Sequence, residues 1–274
     1  MRTQTEKGII FRALHERENA FVIPNPWDVG SARLLALLGF EALATTSAGQ
    51  AFSVGKTDNT LEREETLVHC AAIVAATDLP VSADLGNGFG DAPEIAAETI
   101  RLAAATGLVG GSIEDATYNH DNPIYPIEFA VERIQAVAEA VRNFDFPFTL
   151  TARAENYLVG RQDLHDTIKR LQAYQEAGAD VLYAPSLTTK EEIAAVISSV
   201  DRPVNILMGA QGATTVAALS ALGVKRISTG SALSRAAYGA FLRAAREMSE
   251  HGTFTFADEA VGFGEISAMF KNDV

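Results

Sequence analysis

The chain has 274 residues, and its 22 Lys and Arg face 35 Asp and Glu, a formal net charge of −13. A hydrophobic share of 47% beside 21% charged residues can bury a sizeable core, which excludes disorder as the main state. Acidity on this scale, with no long basic run, argues against nucleic acid and anionic membrane surfaces as partners.

No apolar stretch approaches the roughly 20 residues of a spanning helix, and the charged segment Met1–Arg17 does not read as a signal peptide. The lone Cys70 allows neither an intrachain disulfide nor a Cys-based zinc site. These features predict a cytoplasmic protein. An anionic substrate would need local groups that overcome the overall field.

The chain opens on a predicted helix, Thr5–His15. Short apolar, β-rich runs ending in Gly, Ser, Thr or Asp then alternate with amphipathic helical stretches. In order they are strand Ala20–Ile23 and helix Val29–Leu38, then Ala42–Thr46 and Leu61–Ala76, Pro80–Asp84 and Pro93–Ala105, and Gly110–Glu114 and Pro126–Arg142. The second half repeats the pattern with Pro147–Ala152 and Asp163–Ala177, Val181–Ala184 and Lys190–Ser199, Val204–Leu207 and Ala213–Leu222, and Arg226–Thr229 and Ala232–Glu250. Eight units in 274 residues average about 34 each, the size of a βα unit. Eight of them predict an α/β fold, a TIM (β/α)8 barrel.

Gly39-Phe40, Gly107-Leu108, Gly178-Ala179 and Gly223-Val224 place a glycine where a helix hands over to the next strand. A helix end wants φ > 0 there, which glycine adopts at little cost. No Pro/Ser-rich linker divides the chain, so residues 1–274 read as one barrel domain with an apolar helical tail from about residue 251. The tail carries Phe254, Phe256, Phe263, Ile266, Met269 and Phe270. It packs either on its own barrel or on a neighbouring subunit.

A TIM barrel builds its active site at the C-terminal ends of its strands. That rule selects Trp27 and Asp28 after strand one, Thr45, Thr46 and Ser47 with Gly49 and Asp58 after strand two, and Asp84 with Gly86 and Asn87 after strand three. Strand four delivers Glu114 and Asp115, then Tyr118, Asn119 and His120. Strand five delivers Arg153 and Glu155, and strand seven Asn205. Asp58, Asp84 and Glu114 therefore converge on one rim, with Glu155 and Asp28 as further candidates. Hard oxygen ligands of this kind suit Mg²⁺ or Mn²⁺. The alternative is an ion-paired rim around Arg153, whose planar guanidinium also suits a substrate carboxylate.

Thr45, Thr46 and Ser47 offer hydroxyls and backbone N–H groups for carboxylate or phosphate oxygens. His120 reads either as a mobile proton carrier or as a solvated loop residue. Cys70 reads as a small core hydrophobe. No lysine stands at an inward strand position, which argues against Schiff-base chemistry.

A family resemblance joins these residues. Asn25-Pro26-Trp27-Asp28, Ser31-Ala32-Arg33, Gly39-Phe40, Thr46-Ser47, Gly55 with Asp58, Asp84 before Gly88-Phe89-Gly90, Ile113-Glu114-Asp115 and Ala152-Arg153 occur in that order. From Asn25 to about Arg246 the chain resembles the isocitrate lyase/phosphoenolpyruvate mutase superfamily. The resemblance implies a barrel whose eighth helix is swapped between subunits, in a homodimer or a homotetrameric dimer of dimers. It implies Mg²⁺ (or Mn²⁺) near Asp84, with Asp58 and Glu114 contributing directly or through water. Trp27, Thr45, Thr46, Ser47, Asp84 and Arg153 are the implied contacts of a 2-oxo acid or its enolate, and Asn205 of its distal part.

Two departures matter. Position 86, where the family has a second carboxylate, is glycine, so metal binding is weakened, water-filled or reorganised, with Asn87 as a candidate substitute. The loop Ala116–Asn122 has neither the catalytic cysteine of isocitrate and methylisocitrate lyases nor a lysine-rich lid. The expectation is a Mg²⁺-dependent lyase that cleaves or forms a C–C bond in a 2-oxo or 2-hydroxy di- or tricarboxylic acid. Arg153 would stabilise an enolpyruvate-type intermediate, and Tyr118, Asn119 or His120 would donate the proton. Competing readings are a phosphonopyruvate-type mutase or hydrolase, a sugar-phosphate enzyme using Gly209–Gly212 and Gly230-Ser231, and a barrel that only binds keto acids.

Overall fold

The computed structural model describes residues 1–208 and 215–271. Its eight strands are β1 (Phe21–Ile23), β2 (Leu43–Ala44), β3 (Val81–Asp84), β4 (Gly110–Glu114), β5 (Thr149–Arg153), β6 (Val181–Tyr183), β7 (Val204–Leu207) and β8 (Arg226–Ser228). All pairs are parallel, in the order β1-β8-β7-β6-β5-β4-β3-β2. At the seam between β1 and β2 the Ala44 N–H donates to the Pro24 carbonyl at 3.1 Å. Asn25 reinforces this seam: its Nδ2 donates to the Thr45 carbonyl, and its Oδ1 accepts from the Thr229 and Gly230 N–H groups. The result is the expected TIM barrel.

The outer helices are α2 (Val29–Leu37), α3 (Ser47–Ser53), α4 (Arg63–Ala75), α5 (Pro93–Ala105), α6 (Ile127–Arg142), α7 (Leu164–Glu176), α8 (Lys190–Ser198), α9 (Val216–Ala221) and α10 (Ala232–His251). Leu85, Ile100, Ile113, Ile134 and Phe148 are buried between strands and helices. Each such side chain contributes about 1.5–3 kcal/mol by leaving water. Gly39, Gly107, Gly178 and Gly223 all take positive φ at helix-to-strand turns, as their spacing predicts.

Helix α1 (Gln4–Glu16) closes the bottom. Thr3 and Glu6 form a capping box at its start. Its Phe11 and Leu14 are buried against Phe21, Ile23, Ala42 and Val109. A side chain at Gly8 would collide with the Pro147 carbonyl, so glycine lets α1 seat against the start of β5.

Register positions the site. One row of paired residues runs Glu114–Arg153–Tyr183–Asn205–Arg226 across β4 to β8. Glu114 and Arg153 end their strands, whereas Arg226 begins its own. The row therefore descends from the rim to the barrel interior.

Three differences from the sequence reading stand out. Ser47–Ser53, to which the sequence reading gave no element, is the short helix α3, capped by the Thr46 hydroxyl. Asp28 is the N-cap of α2 in a capping box with Ser31, so it is spent locally and does not join the rim. The expected helix Ala213–Leu222 is described over α9, and Gly209–Gly212 lies outside the described residues.

Of the 20 residues of α10, only Ser234 is buried. Beyond it come a 3-10 turn, Thr255–Glu259, and α11 (Phe263–Met269). The chain returns at Phe270, whose carbonyl accepts from Arg33 Nη2 of α2 at 3.1 Å. Phe254, Val261 and Phe263 remain exposed. No helix among the described residues is long and apolar enough to cross a membrane.

Candidate active site

Arg153, at the end of β5, holds three carboxylates together. Its Nη1 lies 2.9 Å from Asp84 Oδ1, its Nη2 3.0 Å from Glu114 Oε2 and its Nε 2.9 Å from Glu155 Oε1. Its guanidinium also stacks over Tyr183, 5.1 Å from the ring centre. Asp58 lines the same pocket. Burial pushes the Glu114 and Glu155 carboxyls above the usual carboxylate range, and Arg153 opposes that rise. Burial also raises Asp58, against a hydrogen bond from Ser47. Four acids thus share this one arginine at the rim.

The strand-two segment serves Asp84. Thr45 Oγ1 accepts the Asp84 N–H at 3.0 Å, while Ser47 donates to Asp84 Oδ2 through both its N–H (3.2 Å) and its hydroxyl (3.0 Å). Thr46 Oγ1 is spent capping α3. Of the three hydroxyls, Ser47 alone is bonded to a rim carboxylate. Trp27 sits beside Gly49, with its carbonyl accepting from His69 Nε2 at 3.0 Å. Asn205 is buried in β7, where its Nδ2 donates to Ser228 Oγ.

The three lid candidates divide. Tyr118 reaches into the site: its hydroxyl donates to Glu114 Oε1 at 2.7 Å and accepts the Asn87 N–H at 3.1 Å. Burial, then the neighbouring Glu114 charge, holds its phenol well above the ordinary tyrosine range, so it stays protonated. A left-handed backbone at Tyr118, φ 58°, turns the side chain inward. His120 is fully exposed, 3.6 Å from Asp121, and Asn119 accepts the Asp121 N–H in the same exposed loop. The structure brings neither to the carboxylates.

Gly86 has φ 53°, and a side chain there would collide with the Tyr118 hydroxyl. The phenol thus fills the volume that a residue-86 side chain would occupy. Asn87 does not substitute for it: its Nδ2 faces Tyr125 and its Oδ1 accepts the Phe89 N–H.

Asp115, adjacent to Glu114, is a framework residue. It is buried, paired with Arg170 at 3.0 Å, hydrogen-bonded by Tyr174, and accepts the Glu155 N–H. Cys70 is fully buried and its thiol is pushed up to about 12 by burial, which fits a core residue.

Two cavities meet at Ser47 and Asp84. One, of about 210 Å³, is polar and runs from Asp58 and Arg153 past Tyr183 and Asn205 to Arg226 and Ser228. The other, of about 230 Å³, is bordered by Leu61, Leu85, Phe89, Gly86 and Tyr118.

Among the described residues, no three His, Cys, Asp or Glu side chains are gathered as a ready-made metal cage. The donor chemistry nevertheless fits a hard cation that keeps much of its water and takes one or two carboxylates plus ligand oxygens. Asp84 and Asp58 are hard donors lining the pocket, and Glu114 lies behind them, bound to Arg153.

A barrel with this rim of acids and one arginine defines a class. Residues 11–249 match the phosphoenolpyruvate phosphomutase family, and the chain belongs to it, within the isocitrate lyase/phosphoenolpyruvate mutase superfamily of lyases and mutases. It is an enzyme of that superfamily other than isocitrate or methylisocitrate lyase.

More particularly, it is 61% identical to a presumed lyase/mutase from Burkholderia cenocepacia J2315, whose crystal structure superposes with a TM-score of 0.96 over 98% of this chain and 97% of that one. It is 28% identical to the oxaloacetate decarboxylase of Chromohalobacter salexigens, over 85% of this chain and 81% of the relative. A phosphonopyruvate hydrolase solved with oxalate and Mg²⁺ is 25% identical, with a TM-score of 0.86 over 98% of this chain and 95% of its own.

Proposed function

We propose that this enzyme is a Mg²⁺-dependent lyase that cleaves, or in reverse forms, a C–C bond in a 2-oxo or 2-hydroxy di- or tricarboxylic acid. The observation that carries this reading is Arg153, bound to Asp84, Glu114 and Glu155 at the mouth of a polar pocket. Cleavage leaves the electron pair of the broken bond on the 2-oxo acid fragment as its enolate. Arg153 offers that fragment a fixed positive charge in a water-poor site. Asp84, with Asp58 and Glu114 contributing directly or through water, would hold the cation, which when bound would supply further positive charge to the site. Ser47 orients Asp84. Tyr118, its hydroxyl held at the site by Glu114, is the proton donor to the enolate carbon.

The assembly belongs to the same reading. Helix α10 exchanges between subunits, giving a homo-oligomer built as a dimer or a dimer of dimers. Its Phe241, Leu242 and Met248 lie exposed on a helix that buries one residue of its own chain. An exposed apolar face of this kind marks an interface.

The test is turnover of a panel of 2-oxo and 2-hydroxy di- and tricarboxylic acids, with phosphonopyruvate as a further arm, in Mg²⁺ and in EDTA. A released 2-oxo acid that depends on the cation is the expected product. Phosphate or phosphoenolpyruvate from phosphonopyruvate, without C–C cleavage anywhere in the panel, would transfer the site to P–C chemistry.

A further inference from the structure

The pocket has a second cation that the proposed reaction does not use. Arg226 begins β8 and is 6% exposed. Its Nε donates to Asn205 Oδ1 at 2.9 Å and its Nη2 to Thr151 Oγ1 at 3.0 Å, while its Nη1 lies 3.4 Å from His15 Nε2. These partners are all neutral. Burial, together with Arg226 itself, drives the His15 imidazole down to about 3, so it carries no charge at neutral pH. Among the described residues, no carboxylate forms an ion pair with Arg226; Asp84, Glu114 and Glu155 pair with Arg153 instead.

Burial lowers the Arg226 guanidinium to about 10, which leaves it cationic at neutral pH. An interior cation without a counter-charge is costly, and proteins rarely keep one for packing alone. The register row explains how it arises. Glu114 and Arg153 sit at the rim end, and Arg226 lies four strands on at the deep end. Both arginines line the same cavity, with Asn205 and Ser228 beside the deeper one. The cavity therefore has an acid-rich mouth suited to a cation and a cationic floor suited to an anion.

We propose that Arg226 anchors a second anionic group of the substrate, a carboxylate remote from the reacting 2-oxo or 2-hydroxy end, so that the pocket selects dicarboxylates over monocarboxylates. This rests on the reading that a small 2-oxo or 2-hydroxy acid enters this pocket. Asn205 is the positioning residue between the two poles. Arg226 fixes its Oδ1, which aims its Nδ2 at Ser228 Oγ along the cavity wall. The substrate carboxylate supplies the counter-charge that the barrel withholds.

The experiment compares L-malate with L-lactate, which lacks only the remote carboxylate, by calorimetric titration in Mg²⁺. The wild type should bind malate more tightly by about tenfold or more, the worth of one charge-assisted hydrogen bond. Arg226→Gln should lose that preference while still binding lactate as the wild type does, and Arg226→Lys should keep part of it. A purely structural arginine would instead weaken both ligands together, and that result overturns the proposal. Equal binding of malate and lactate by the wild type overturns it without any variant. Failure of the wild type to bind either ligand, or oxalate, refutes the underlying reading of the pocket instead.

Discussion

Arg153→Gln removes one positive charge from among three carboxylates that lie 2.9–3.0 Å from its nitrogens. Removing one partner of a buried ion pair costs about 3–5 kcal/mol, because the remaining charge stays buried. Three carboxylates lose their partner here, yet the loss does not triple, since they can take up protons. The sign of the pH dependence follows from burial, which already raises Glu114 and Glu155 in the folded state while Arg153 opposes it. Without Arg153 they rise further. A carboxyl raised by folding contributes its stability below its unfolded pKa and loses it as pH rises through the folded value. The variant's deficit therefore grows as pH rises through the folded wild-type values, about 8 for Glu155, and shrinks as pH falls toward the ordinary carboxylate range. With the carboxylates ionised, a loss of about 3–5 kcal/mol lowers Tm by roughly 10 °C in a chain of this size. Thermal melts of both proteins from about pH 5 to 10, with and without Mg²⁺, read this out. Added Mg²⁺ should narrow the gap by replacing the lost charge. A deficit that is absent, or equal at every pH, refutes the electrostatic role of Arg153.

Three further outcomes follow. Gly86→Ala places a side chain against the Tyr118 hydroxyl on a left-handed backbone, and should cost about 1–2 kcal/mol or more in urea melts; combining it with Tyr118→Ala should relieve the collision, and additive losses would contradict the contact. Tyr118→Phe should lower kcat steeply with KM little changed, whereas His120→Ala, altering a fully exposed ring, should leave both near wild type; the reverse pattern moves the proton donor to the lid tip. Phe241→Glu, at a residue 64% exposed on α10, should shift the particle toward monomer in light scattering, and an unchanged mass would remove α10 from the interface.

The barrel was legible because short β-rich runs alternate eight times with amphipathic helical stretches, and because glycines mark the turns that need positive φ. Asp84, Glu114 and Arg153 were legible for the same reason: strand ends place them on one rim. The short helix α3 escaped because Ser47–Ser53 has no helical run of large apolar residues, and its cap, Thr46, reads equally as a ligand hydroxyl. The choice among Tyr118, Asn119 and His120 turned on one left-handed residue, which a tyrosine in a loop does not announce. Arg226 was invisible as a pocket residue because its place depends on the stagger between β7 and β8, a property of the closed sheet.

Calorimetric titration of Mg²⁺ in the presence of oxalate, on the wild type and on Asp84→Ala, bears most directly on the proposed chemistry. Saturable Mg²⁺ binding that strengthens with oxalate and disappears in Asp84→Ala is the predicted result. No Mg²⁺ binding in the wild type, or binding that survives the loss of Asp84, would contradict it.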